Sequence, residues 1–185
     1  LRGTFGAAPA VTKAQAAAIP YASMGYHVDG GAERLIVLAT DNGGEQLWTS
    51  ADHVVLLTRD GRIVRTVGLS HDLAALSAGK GGDPSPAQAL RAPFTSSRME
   101  DFPDLNLYSV PVACHAAMQG PAAITILGNR LNTIRVNESC VSEKLNWSFV
   151  DSFWVDPQSG LVWRSRQHIH PKGEILDTEI LRPPG

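Results

Sequence analysis

The sequence predicts a mainly β protein built from antiparallel, coiled or curved sheets, barrel- or sandwich-like, with one short N-terminal helix and a long Gly/Pro-rich loop. Three observations predict this class. From Tyr21 onward the apolar residues come in short runs broken by Gly, Asp and Asn. These runs are rich in Val, Ile, Leu, Thr and Trp, residue types that fit a pleated, half-buried surface. A dipeptide at residues 60–61 and a pentapeptide at 156–160 carry hairpin-turn chemistry.

The helix comes first. Thr12 followed three residues later by Gln15 is a capping-box pattern, KAQAAA behind it consists of good helix formers, and Pro20 ends it. The strand candidates follow in order: YASMGYHV, RLIVLAT, QLWTS, HVVLLTR, RIVRTVGL, NLYSVPVAC, AAITIL, NTIRVNES, LNWSFV, FWV, LVWRSRQ and EILDTEIL. One domain over 1–185 is expected, with a flexible tail at 1–10.

Asp60-Gly61 lies between two of these runs, and a two-residue type I′ turn needs positive φ at both central positions, which Asp and Gly accept. A regular ladder from that turn pairs Arg59 with Arg62, Thr58 with Ile63, Leu57 with Val64 and Leu56 with Arg65. Arg65 then shares a face with Val54, Leu56, Ile63 and Val67. A guanidinium in an apolar setting must meet a carboxylate or several carbonyls, and Asp52 is the candidate partner, so Arg65 is expected to be buried and structural; if its head instead reaches solvent at a groove lined by Trp48, it is a candidate ligand contact. In DPQSG, Pro suits the second position of a type I turn and Gly the left-handed residue that closes a four-residue loop. That register sets Trp154 opposite Trp163, Phe153 opposite Arg164 and Asp151 opposite Arg166. It assigns the tryptophans to the core and Asp151, Phe153, Arg164 and Arg166 to an outer face.

Residues 70–104 are dense in Gly, Pro, Ser and Ala. They read as a long loop with one helical turn around Asp72 to Leu76, of a length that is usually functional or mobile.

The charge and motif content excludes several function classes. A net charge of -2 supplies no bulk field toward nucleic acid or anionic lipid, so no nucleic-acid partner is expected. No apolar run reaches the roughly 18 residues of a spanning helix. AALSAGKG, residues 74–81, falls short of a phosphate-binding loop and is not followed by a helix start. His168 and His170 project from one face of a strand and could form half a metal site, but they read as polar residues of an outer strand, so neither metal nor cofactor is expected. The acids Glu100, Asp101 and Asp104, and Glu174, Asp177 and Glu179, read as loop and solvated-face residues. The sequons at Asn137 and Asn146 matter only in a glycosylating pathway. Cys114 and Cys140, the two cysteines, are too few for a zinc site and lack redox spacing, leaving a disulfide or two buried thiols.

Taken together and in order, IPYASMGYHV, LIVLAT, LWTSADHVVLLTRDGRIVRTVGL, FWVDPQSGLVWRSRQ and TEILRPP resemble the YjbF/GfcB family of bacterial lipoproteins, encoded with group 4 capsule and related exopolysaccharide systems. The likeness runs from about Ile19 to Pro184. It implies an exported protein, anchored to the periplasmic side of the outer membrane through an acylated N-terminal Cys, that acts in polysaccharide secretion or assembly without enzymatic activity. It also implies largely β, coiled sheets. An oxidising periplasm permits the Cys114–Cys140 disulfide, which would stabilise by roughly 3.5 kcal/mol in the chain-entropy account.

Resemblance and residues together point to a noncatalytic envelope protein contacting exopolysaccharide or secretion-machinery proteins, with a homodimer as a further expectation. The contact candidates are Trp48, Asp52, Arg65, Asp151, Phe153, Arg164 and Arg166. Two other readings have their own signatures. A carrier of lipid or lipid-linked glycan needs a continuous apolar cavity. A polysaccharide-modifying enzyme needs a polar cleft with converging carboxylates or a His dyad.

Overall fold

A computed structural model describes residues 8–185. The short helix α1 (Lys13–Ala17) is closed at its N-terminus by the capping box read from the sequence: Gln15 N–H donates to Thr12 Oγ1 and Thr12 N–H to Gln15 Oε1. Seven positions of the tail expected at 1–10 lie outside the described residues. Beyond them the chain is already tied down, because Pro9 C=O accepts the Glu33 N–H.

Twelve strands follow: β1 (Ser23–Val28), β2 (Arg34–Asp41), β3 (Glu45–Thr49), β4 (Val55–Arg59), β5 (Arg62–Val67), β6 (Ala75–Ala78), β7 (Phe94–Phe102), β8 (Leu107–Ile126), β9 (Asn129–Ser142), β10 (Trp147–Val155), β11 (Val162–His170) and β12 (Gly173–Arg182). They form one antiparallel sheet in the order β5-β4-β3-β2-β1-β12-β11-β10-β9-β8-β7-β6, which curls into a nearly closed barrel. β12 sits in the middle because it returns to pair with β1, so both sequence-adjacent meanders extend outward from that joint. The two edge strands approach each other at the seam, where the Thr66 N–H donates to Leu73 C=O.

The 70–104 segment is not a long loop. It contains β6, a helical turn at Pro86–Leu90 and the nine-residue β7, and there is no helix at Asp72 to Leu76. β7 escapes detection for a physical reason: its inward positions Ser96, Arg98, Glu100 and Phe102 keep a period of two, but three of the four are polar.

Both predicted turns form, and both ladders slip just beyond them. Asp60 and Gly61 take φ 48° and 86°, as a type I′ turn demands. Arg59 and Thr58 pair with Arg62 and Ile63, but a bulge follows and Leu57 then faces Arg65. The extra residue turns Arg65 outward, so it is exposed instead of buried, and Arg62 becomes the buried arginine of the hairpin. In DPQSG the Gly160 N–H donates to Asp156 C=O with Gly160 at φ 78°. Val155 pairs with Val162, then Trp154 with Arg164, leaving Trp163 as the extra residue. Ser152 therefore faces Arg166 and Phe153 faces Ser165. Neither the Trp154–Trp163 pair nor the Asp151–Arg166 pair exists.

The barrel interior holds a main apolar cluster centred on Tyr26, Ile36, Trp48, Leu56, Phe102 and Ile169. A second cluster lies under the Pro86–Leu90 turn, around Phe153, Val155, Val136 and Ala116. The interior also holds buried polar side chains, among them Arg62, Arg98, Glu100 and Glu138. Cys114 and Cys140 face each other across β8 and β9 and are disulfide-bonded, with Cα atoms 4.1 Å apart.

Candidate functional site: a charged and aromatic outer face

The seven predicted contact residues do not form one site. Trp48 is fully buried, its indole Nε1–H donating to Thr58 Oγ1 at 3.1 Å. Phe153 is at the heart of the second apolar cluster. Asp52 pairs with the exposed Arg34 and accepts the Ser50 hydroxyl, so it is no partner of Arg65. Asp151 is buried where the β10–β11 ladder ends, accepting from the His168 backbone N–H at 2.8 Å and His168 Nδ1–H at 3.0 Å. Burial raises its carboxyl above the ordinary range even though His168 holds it down.

The barrel does bury arginines against carboxylates, but they are not the predicted one. Arg62 and Arg98 are bridged by two acids into a closed ring. Asp83 accepts from Arg62 at 3.2 Å and from Arg98 at 3.1 Å, and Glu138 accepts from both on the other side. Two positive and two negative groups cancel, which lets four ions persist where each alone would be prohibitive. Burial pulls the Arg98 pKa down, yet Glu138 and Asp83 together raise it above the usual value. Glu100 lies beside Arg98 along β7, and burial pushes its carboxyl up to about 8 despite that arginine. Gln167 links the opposite wall: its Oε1 accepts the Ile63 N–H at 2.8 Å and its Nε2 donates to Gly61 C=O at 3.0 Å. Sequence reasoning missed Arg62, Asp83, Arg98 and Glu138. Charged residues at inward strand positions, Arg98 and Glu100 two apart in RMEDF and Glu138 in NES, were the available signal.

Arg164 and Arg166 do lie together, on the outer face of β9 to β12. The register aligns two rows across these strands. One runs Gly25, Glu179, Arg164, Trp154, Arg135 and the other His27, Asp177, Arg166, Ser152, Asn137. Arg164 donates to Glu179 at 3.0 Å and Thr125 C=O at 3.0 Å, and Arg166 holds Asp177 through two bonds of 2.9 and 3.2 Å. Arg135 lies over the Trp154 ring, 5.5 Å from its centroid, and donates to Ser152 Oγ and Asn137 Oδ1. Trp154 is half-buried while Arg135 and Arg166 are exposed, so an aromatic surface is framed by hydrogen-bonding groups facing solvent. Glu33 closes one end of the first row. It leans over Gly25, where an added Cβ would come within 2.7 Å of its carboxyl carbon. Burial, and then the adjacent Glu179, push its carboxyl up to about 7.

At one end of the barrel a recess of about 370 Å³ is bounded by Met24, Trp48, Ile63 and Ile180 within and by Gln46, Asp60, Ser85 and Ser159 at the rim. Its apolar wall is almost wholly inaccessible, so the rim supplies its chemistry. Among the described residues no helix is long and apolar enough to cross a membrane.

The curated lipoprotein GfcB of Escherichia coli K12, described as uncharacterised, is 27% identical over 94% of this chain and 81% of its own length. YjbF of the same organism, also an uncharacterised lipoprotein, is 39% identical over 49 residues, 26% of this chain and 23% of its own. The crystal structure of the hypothetical lipoprotein YmcC of Escherichia coli K12 superposes with a TM-score of 0.78 at 24% identity, covering 95% of this chain and 90% of that one, and so shares the fold. The family model described as group 4 capsule polysaccharide lipoprotein GfcB/YjbF matches residues 5–181, and the chain belongs to that family.

Proposed function

We propose that this chain is a noncatalytic component of the cell envelope, acting in exopolysaccharide or capsule secretion or assembly by contacting glycan or secretion-machinery proteins through the outer face of β9 to β12. In this reading it is held at the periplasmic side of the outer membrane by an N-terminal lipid. The observation that carries the proposal is the half-buried Trp154 ring under the exposed Arg135, in register with Arg164, Arg166, Ser152 and Asn137. An aromatic ring accepts the apolar C–H side of a sugar while arginine and amide groups bond its hydroxyls. The open outer surface suits internal residues of a long chain, which a closed pocket would not admit.

The interior argues against a lipid carrier, because it buries the four ions of the Arg62–Asp83–Arg98–Glu138 ring, which an apolar ligand would have to pass or desolvate. The adjacent carboxylates Glu33 and Glu179 do not stand as a free acid and base pair of the kind glycoside cleavage uses, because Glu179 is held by Arg164 at 3.0 Å and, with burial, pushes the Glu33 carboxyl up to about 7.

The test is affinity electrophoresis of the purified chain in gels containing the matching exopolysaccharide. Retardation by the polymer, at least tenfold weaker for Trp154→Ala and Arg135→Ala with unchanged melting temperatures, is expected. Equal retardation of both variants and the wild type would remove this face from the proposal.

A further inference from the structure

The end of the barrel opposite the recess carries a second cluster that the proposed glycan face does not use. His71 comes from the link between β5 and β6, Asp104 from the short helical turn between β7 and β8, and His170 from the last position of β11. Asp104 Oδ2 lies 3.2 Å from His71 Nδ1 and Asp104 Oδ1 lies 3.1 Å from His170 Nε2. The donor atoms are all within 4.8 Å of one another. The two imidazoles stack with centroids 4.7 Å apart, and Phe102 packs edge-on against His170 at 5.0 Å. His170 is inaccessible to solvent while His71 and Asp104 are 38% and 40% exposed, so one ligand is rigid and two face an entry path. Glu174, itself buried, accepts the His71 backbone N–H at 3.2 Å and fixes the loop that delivers it.

We propose that His71, Asp104 and His170 form a binding site for a divalent transition-metal ion of the zinc class. Two imidazoles and one carboxylate are a donor set that such ions prefer and that calcium and magnesium, which need more oxygens, do not. Tetrahedral bonds of about 2.0–2.1 Å place neighbouring donors about 3.3 Å apart; Asp104 already meets His71 Nδ1 at 3.2 Å through Oδ2 and His170 Nε2 at 3.1 Å through Oδ1, so either oxygen could serve as its ligand atom. The donor nitrogens lie within 4.8 Å of each other, and the half-exposed His71 is the ligand with room to adjust toward that spacing. Three protein donors leave a fourth position for water or an incoming ligand atom.

The protons balance without a co-reactant. In the metal-free arrangement the Lys172 N–H donates to His170 Nδ1 at 3.1 Å, so Nε2 carries the ring proton and gives it to Asp104. Ligation through Nε2 moves that proton, by way of solvent, to Nδ1. The Lys172 N–H, on an exposed two-residue turn, then bonds to water. His71 likewise shifts its proton from Nδ1 to Nε2, and Asp104 stays ionised. The ion would thereby join the seam link to both neighbouring turns. This departs from the sequence expectation of no metal site, which considered His168 with His170; His168 is instead committed to Asp151.

The tag-free chain, stripped with EDTA, would be titrated with zinc chloride by calorimetry, with magnesium chloride as control. One zinc per chain is expected, bound at least 100-fold more tightly than by His71→Ala, with His115→Ala, an exposed histidine elsewhere, unchanged. Zinc should raise the melting temperature of the wild type only, and nitrogen-15 NMR of histidine should show the His170 proton moving to Nδ1. Should His71→Ala fail to fold, Asp104→Asn takes its place. No zinc uptake by the wild type, or equal uptake by the His71 and Asp104 variants, would overturn the assignment.

Discussion

Glu100→Gln should stabilise the protein at neutral pH, and by an amount that depends on pH. Glu100 faces the barrel interior from β7 with 4% of its surface accessible, and its carboxyl is pushed up from 4.5 to about 8 by burial. A carboxyl raised in the folded state is neutral there while the unfolded chain ionises it above pH 4.5. The unfolded state therefore holds fewer protons between pH 4.5 and 8, and stability falls as pH rises through that window. At about 1.4 kcal/mol per unit, the penalty at pH 7 is about 3 kcal/mol. Gln has nearly the same shape and no charge to lose, so the variant carries no such penalty. Urea unfolding of both proteins at pH 5, 6, 7 and 8 measures the difference directly, and the comparison cancels the slope that other interior acids contribute. The gap should be small at pH 5, widen toward pH 8, and favour Gln. A gap that stays flat across the window would show that Glu100 is ionised in the folded barrel and refute the reasoning.

Three further outcomes rest on the ring, the register and the disulfide. Glu138→Gln leaves Arg62 and Arg98 facing one carboxylate between them, and should destabilise by roughly 3–5 kcal/mol, seen as a melting-temperature drop on the order of 10 °C. Arg65→Ala should change stability by less than about 0.5 kcal/mol, since the bulge after Ile63 leaves Arg65 outside; a drop of several degrees would return it to the interior. Reduction of Cys114–Cys140, or Cys140→Ala with Cys114→Ala, should cost about 3.5 kcal/mol by loop closure, and an unshifted denaturation midpoint under reductant would show that the bond contributes nothing.

Much of the fold was legible because local chemistry specified it. The capping box at Thr12, the I′ turn at Asp60-Gly61 and the four-residue turn at DPQSG all form as read, since each is decided within four or five residues. The ladder beyond each turn was not legible, because a bulge is decided by contacts made across the barrel. Ile63 N–H goes to Gln167 Oε1, a partner distant in sequence, and Val162 lies against the Gly61 backbone, where a Cβ would come within 2.4 Å. Those contacts fix the two hairpins against each other, and a regular ladder from either turn would break them. One slipped residue reverses every side chain beyond it. The candidate contacts split accordingly: Arg164 and Arg166 stay outside, whereas Asp151 and Phe153 go in and Trp154 comes out.

The same polar interior accounts for the strand that sequence reasoning lost and bears on the function that the barrel can support. β7 lacks an apolar stripe because its inward residues build the charged layer with Arg62, Asp83 and Glu138. A ring of four ions is worth little as net stability compared with well-packed apolar residues, but breaking it is costly. It therefore acts chiefly against alternative packings, since a shift of β7 or β9 by two residues would strand one charge without its partner. An apolar ligand entering the barrel would face the same penalty, because it would have to separate these ions or desolvate them further. The interior ring thus serves strand register, and the proposed contacts with other molecules fall on the outer face and the barrel ends. There Trp154, Arg135, Arg164 and Arg166 stand in register on one side, and His71, Asp104 and His170 converge at the seam.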